Sequence, residues 1–160
     1  MSYSPFNQKT KISTPLLSIV IFLLLFTISS CNNKNRVILF ADNAFKEALL
    51  KTVHIDIDGD GTFDANIDTN GDGEIQRKEA AEAEYLNLSN ADITSLEGIS
   101  YFKNLKNLNI SINKLKTVDL SKLSNLVILK CYVNELEQLD LTANINLETL
   151  WTADNKLKTI

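Results

Sequence analysis

From about Tyr85 onward the chain repeats itself every 21 residues, and that period excludes most folds open to a sequence of this length. Leu105, Leu126 and Leu147 form one column, Leu108, Leu129 and Leu150 a second, and Ile110, Cys131 and Thr152 a third. Asn113, Asn134 and Asn155 recur at the same interval, followed by Leu115, Leu136 and Leu157 and then Val118, Leu139 and Ile160. The unit is L-x-x-L-x-(apolar)-x-x-N-x-L-x-x-(apolar). Each copy is too small to bury its own aliphatic side chains, so the coils must stack, each contributing a strand to one parallel sheet. A first copy, one residue longer, puts Leu86, Leu88, Ile93 and Leu96 in the same columns, with Ala91 where the asparagine belongs. The expectation is an α/β repeat solenoid of about four units, 21 to 22 residues each, over residues 85–160, whose asparagines bond to backbone within their own turn.

Side chains alternate along a strand, so the residues between the leucines face outward. They are Tyr85, Asn87 and Ser89; Asn107, Asn109 and Ser111; Ile128, Lys130 and Tyr132; and Thr149, Trp151 and Ala153. Trp151 is the only tryptophan, and with Tyr132, Ile128 and the flanking Lys130 it has the composition of a recognition hot spot. The alternative is that Trp151 is covered by a further repeat or by the end of the chain. The sequence stops at Ile160, inside a repeat and without a polar cap. It therefore reads either as a fragment of a longer repeat protein or as a stack whose raw end pairs with another molecule. Cys131 reads as a core residue in an apolar column.

Half of the 20 acidic residues fall between Asp56 and Glu84, against only Arg77 and Lys78 as basic neighbours. So dense a cluster repels itself unless a cation sits within it. The run Asp68-Thr69-Asn70-Gly71-Asp72-Gly73-Glu74-Ile75-Gln76-Arg77-Lys78-Glu79 resembles the EF-hand loop at every constrained position. Oxygens of Asp68, Asn70 and Asp72 converge only if the chain then turns sharply, which Gly73 allows. Glu74 offers its carbonyl, Gln76 sits where a water often ligates, Glu79 closes the shell with both carboxylate oxygens, and Ile75 points to the core. Hard oxygen donors in this number suit Ca²⁺; the alternative is a degenerate loop that only turns the chain. The preceding run supplies Asp56, Asp58, Asp60, Thr62 and Asp64 but ends in Ile67 where the closing acid belongs. It reads either as a second ion site or as an acidic turn beside the first. Asp42 caps a helix carrying Phe45, Leu49 and Leu50, and Gln76 to Ala83 forms a second short helix. His54, the only histidine, reads as packing rather than ligation.

Lys9 and Lys11 precede an apolar run from Leu16 to Ile28, which gives way to Ser29-Ser30-Cys31. A basic stretch, an apolar core of about 7–15 residues and small residues before a cut site make an export signal. Ile28-Ser29-Ser30-Cys31 resembles the lipobox of bacterial lipoproteins, which implies cleavage before Cys31 and acylation of its thiol; the alternative is an ordinary cleavage site and a chance cysteine. Two or more acyl chains hold a protein on a membrane essentially permanently. Asn32 after the cysteine implies, by analogy with enterobacterial sorting, the outer membrane, facing either the periplasm or the cell surface. Cys31 and Cys131 are the only cysteines, so no disulfide framework exists. Removing Lys9 and Lys11 takes the basic count from 16 to 14 against 20 acidic residues, a net charge of about −6 that does not suit nucleic acid.

The boundaries follow: a signal peptide over 1–30, a lipidated tether over 31–37, a helical EF-hand-like cap over 38–84 and the repeats over 85–160. The repeat unit resembles the leucine-rich repeat. An acidic cap, an Ile-Thr-Ser-Leu-Glu-Gly-Ile first repeat, and Val-Asp-Leu-Ser turns at Val118 to Ser121, echoed at Leu139 to Thr142, resemble the internalin-like proteins of bacterial surfaces from Ile38 to Ile160. The resemblance implies protein or glycan binding by the strand face and no catalysis. Caps of that family are EF-hand-like in shape, generally without metal, whereas here the ligands of one loop are present. A calcium-dependent structural envelope protein without a specific ligand is the rival reading. One histidine and the absence of G-x-S-x-G, H-E-x-x-H or a phosphate loop leave only carboxylates for enzyme chemistry, and these are better explained as metal ligands.

Overall fold

The computed structural model describes residues 35–51 and 66–158, all within a compact unit spanning Lys34–Ile160. The expected export signal with Cys31, the run from Asp56 to Asp64, His54 and Ile160 lie outside the described residues.

Four three-residue strands carry the repeat: β1 (Tyr85–Asn87), β2 (Asn107–Asn109), β3 (Ile128–Lys130) and β4 (Thr149–Trp151). They pair in parallel and in chain order, with Leu86, Leu108, Leu129 and Leu150 in register. Coils of nearly equal length return the chain one strand spacing further along at each turn, which is why no strand is skipped. Behind the sheet the aliphatic columns close on themselves. Leu88, Ile110 and Cys131 form one buried line, Leu105 and Leu126 another, and Leu115 and Leu136 a third, each 1% exposed or less. Full burial of such a side chain contributes about 1.5–3 kcal/mol. Leu147, Leu150 and Leu157 in the last coil are only partly buried, because among the described residues that coil has a neighbour on one side alone. Burial pushes the Cys131 thiol up to about 11, so it stays protonated and inert at neutral pH.

The column asparagines do more than the sequence reading assigned to them. Asn134 donates Nδ2 to the Cys131 carbonyl of its own coil and also to the Ile110 carbonyl of the coil before, 2.9 Å away, while its Oδ1 accepts the Leu115 N–H. Asn113 and Asn155 repeat the arrangement with Leu88 and Cys131 as the carbonyls reached in the preceding coil. They bridge coils as well as closing turns, because the turn bends inward where the coils are closest. Just before each asparagine the backbone is left-handed, at Ile112 (φ 57°), Val133 (φ 53°) and Asp154 (φ 56°). Polar residues tolerate this conformation, but Ile112 and Val133 are β-branched and strained by it.

The cap joins the first coil through side chain to backbone bonds. Helix α1 (Asn43–Lys51) buries Phe45 and Leu49, and Asp42 caps it by accepting the N–H groups of Ala44 and Phe45 on Oδ1. The other oxygen of Asp42 accepts from Thr94 N–H, Thr94 Oγ1 and Ser95 N–H of the first coil. Burial alone would raise the Asp42 carboxyl, but the donors on Thr94, Ser95 and Phe45 outweigh it and hold it at about 2. Gly98, at φ 106°, lets the first coil approach the cap: a Cβ there would lie 2.9 Å from the Phe40 ring. Helix α2 (Arg77–Glu82) follows the acidic turn, and Arg36 to Ile38 pair antiparallel with Ile75 to Arg77. Among the described residues no helix is long and apolar enough to cross a membrane.

Candidate functional site

The strand face gathers the residues singled out from the sequence at its β3–β4 end. Lys130 and Trp151 are register partners on β3 and β4. The Lys130 ammonium lies over the indole, 4.6 Å from the ring centroid, an interaction worth about 0.5–1 kcal/mol when exposed. The Tyr132 ring sits 6.3 Å away, tilted by 42°. Trp151 is 52% exposed among the described residues. Ile128 stands two residues from Lys130 on the same face of β3 and lines, with it, a shallow groove of about 220 Å³ that runs back over Asn107 and Asn109 to Tyr85 and Asn87.

Ser111 departs from the expected outward face: it is fully buried. The strands are three residues long, so at Ser111 the chain has left the sheet and is entering the asparagine turn. Its carbonyl accepts Asn90 N–H and the Asn113 amide, which draws the residue inward. Its Oγ has no hydrogen-bond partner among the described residues.

The acidic turn has the shape that its glycines dictate, with Gly71 at φ 71° and Gly73 at φ 77°. The Asp68 carboxylate collects three N–H groups at 2.8–3.1 Å, from Gly71 and Asp72 on Oδ1 and from Gly73 on Oδ2. Asn70 and Gln76 each donate a side-chain amide to Asp72 Oδ2, at 3.1 and 2.8 Å, so Asp68, Asn70, Asp72 and Gln76 form one polar knot. Glu79 is 6% exposed and engaged with the turn's backbone. Its Oε1 accepts Thr69 N–H, Thr69 Oγ1 and Asn70 N–H, and its Oε2 accepts Gln76 N–H at the start of α2. Ile75 is fully buried beneath the turn. Glu74 pairs with Lys46 of α1 at 2.8 Å. Among the described residues no three His, Cys, Asp or Glu side chains come close enough to share a metal ion.

Two repeat-borne ladders escaped the sequence reading. Asn125 and Asn146 donate to the carbonyls of Lys103 and Ser124 one coil back, and Asn104 donates to the Ala81 carbonyl of the cap helix α2. Their 21-residue spacing was the available signal. Lys114 to Asp92, Lys156 to Glu135 and Lys158 to Glu137 pair across neighbouring coils, and such exposed pairs contribute little each.

This fold has solved relatives. The functional domain of InlJ from Listeria monocytogenes, described as including a cysteine ladder, is 33% identical to this chain, with a TM-score of 0.53 over 54% of this chain and 19% of that one. The internalin InlF from the same species superposes with a TM-score of 0.60 at 20% identity, over 76% of this chain and 32% of its own. The chain thus spans between a fifth and a third of the lengths of these two structures. The sequence matches no protein-family model and no curated protein. The fold is therefore an internalin-like leucine-rich-repeat fold. Within its repeats this chain carries one cysteine, Cys131, rather than a ladder of them.

Proposed function

We propose that this chain is a lipid-anchored leucine-rich-repeat binding protein of the bacterial envelope, non-catalytic, which meets a protein or glycan partner through its strand face. The observation that carries the reading is Trp151, held in orientation by Lys130 and Tyr132 yet half exposed, while Leu150 beside it in sequence packs against the core. A large aromatic in that setting is the composition of a binding hot spot. The test compares the fluorescently labelled chain with two variants on host-cell and bacterial surfaces. Trp151→Ala with Tyr132→Ala should reduce retention at least tenfold, and Lys122→Glu, away from the strand face, should leave it unchanged. Equal retention of all three proteins overturns the reading.

The anchor in this reading is Cys31, acylated after cleavage, with the outer membrane as destination. Cys31→Ser should move the chain from the membrane pellet to the soluble fraction, and continued incorporation of a palmitate label by that variant would refute acylation there.

The cap in this reading is steadied by Ca²⁺, held by Asp68, Asn70, Asp72, the Glu74 carbonyl, Gln76 and Glu79. Support comes from the two left-handed glycines and the all-oxygen donor set. The ion would supply positive charge to a turn in which Asp68, Asp72 and Glu79 are otherwise met only by neutral hydrogen-bond donors. At calcium a hundredfold above its Kd, stabilisation should reach about 2.7 kcal/mol. Calcium should raise the melting temperature, EDTA should reverse the rise, and Glu79→Gln should abolish the response while Asp64→Asn reduces it less. Superimposable melting curves with and without calcium would end this part of the proposal.

A further inference from the structure

We infer that the ligand of the strand face is an uncharged glycan chain, with sugar rings packed against Trp151 and Tyr132 and hydroxyls bonded by the asparagine amides of the adjoining groove. This rests on the strand-face reading above and narrows its partner to one chemistry. The first observation is charge. Of the twelve positions that alternate with the leucines only Lys130 is charged, in a chain that is 22% charged overall, and that ammonium is placed on the indole rather than projected toward a partner. A charged ligand would find almost no counter-charge on this face.

The second observation is hydrogen-bonding capacity left open. Asn87 and Asn109 each use Oδ1 to accept an N–H, from Ser89 and Ser111, which fixes the amide plane and leaves Nδ2 without a partner among the described residues. Asn107, which lines the same groove two residues before Asn109 on β2, has neither amide atom engaged among the described residues. Fixed neutral donors and acceptors beside an exposed indole match a molecule with hydroxyls along its edge and C–H groups on its face. A sugar ring has both, and a neutral one needs no counter-charge. Only a few well-placed polar groups are required for orientation in such a site.

The test uses the full chain. As Trp151 is the only tryptophan, its emission reports on this face alone. Titration with cellotetraose, chitotetraose, mannotetraose and an anionic oligogalacturonate should give a saturable change with at least one neutral oligosaccharide and none with the anion. By calorimetry the affinity should fall at least fivefold in Asn107→Ala, whose amide bonds to nothing else among the described residues, with the melting temperature unchanged, and binding should be lost in Trp151→Ala. No saturation by any neutral oligosaccharide at millimolar concentration, or equal binding of the anion, overturns the inference. Surface retention separates the two levels. If it survives periodate oxidation of the surface and is lost on protease treatment, the ligand is a protein and only the glycan inference falls. If it never depends on Trp151 and Tyr132, both fall.

Discussion

The side-chain contacts made among the residues from Asp68 to Glu79 close over at most ten positions, with Lys46 to Glu74 and the backbone pairing of Arg36 to Ile38 arriving from outside, whereas the asparagine bridges that tie one coil to the last span 19 to 25 residues. The acidic turn also faces water, while the coils hide three aliphatic columns behind the sheet. A segment of the first kind can hold its shape from its own sequence. A segment of the second kind has no shape until its neighbour is present, so damage to one coil is felt by the coils on either side.

The largest effect that would test this contrast is Leu129→Ala. It opens a cavity between coils and should cost about 2–5 kcal/mol in denaturant unfolding, with a single cooperative transition moved to lower denaturant. A loss confined to β3 and β4 in hydrogen exchange would show that the coils are less coupled than their bridges imply. Next in size, Asn134→Ala strips partners from two buried carbonyls and the Leu115 N–H and should cost roughly 1–3 kcal/mol, more than any single carboxamide change in the acidic turn.

Asp42 joins the two kinds of region, and Asp42→Ala should cost about 1 kcal/mol at neutral pH through loss of the α1 cap. Its carboxyl is lowered from 3.8 to about 2 in the folded chain, so the stabilisation by the charged form is complete above pH 4 and disappears as pH falls through 2. The gap between the native chain and Asp42→Ala should therefore narrow across that window. A gap that widens on acidification would contradict the assignment. The smallest effect runs the other way. Ile112→Asn puts at that left-handed position the residue type that Asn90 supplies in the first coil, and it should stabilise by up to about 1 kcal/mol in thermal melts. If it destabilises, the exposed Ile112 side chain contributes more than its backbone strain costs.

Much of this was legible in the residues. The 21-residue period fixed which leucines share a column, and the pairing of Leu108, Leu129 and Leu150 follows it without a slip. Asp42 was recognisable as a cap because capping is a local matter of one carboxylate and the next turn's N–H groups. Its second oxygen was not, since Thr94 lies 52 residues away. Ser111 was misplaced because alternation along a strand says nothing of where the strand ends. The joining of Lys130, Tyr132 and Trp151 needed the register of β3 on β4, which alternation within a single strand does not contain.

The sequence by itself determined that the coils stack, which side chains line their interior and how the acidic turn bends, because each follows from a fixed interval or from a glycine at one position. Only the tertiary structure decided that the asparagines reach across coils, that Ser111 turns inward and that one ammonium rests on the exposed indole. Those outcomes depend on where a residue's neighbours from the adjacent coil come to lie, and that distance exists only after the coils have closed on one another.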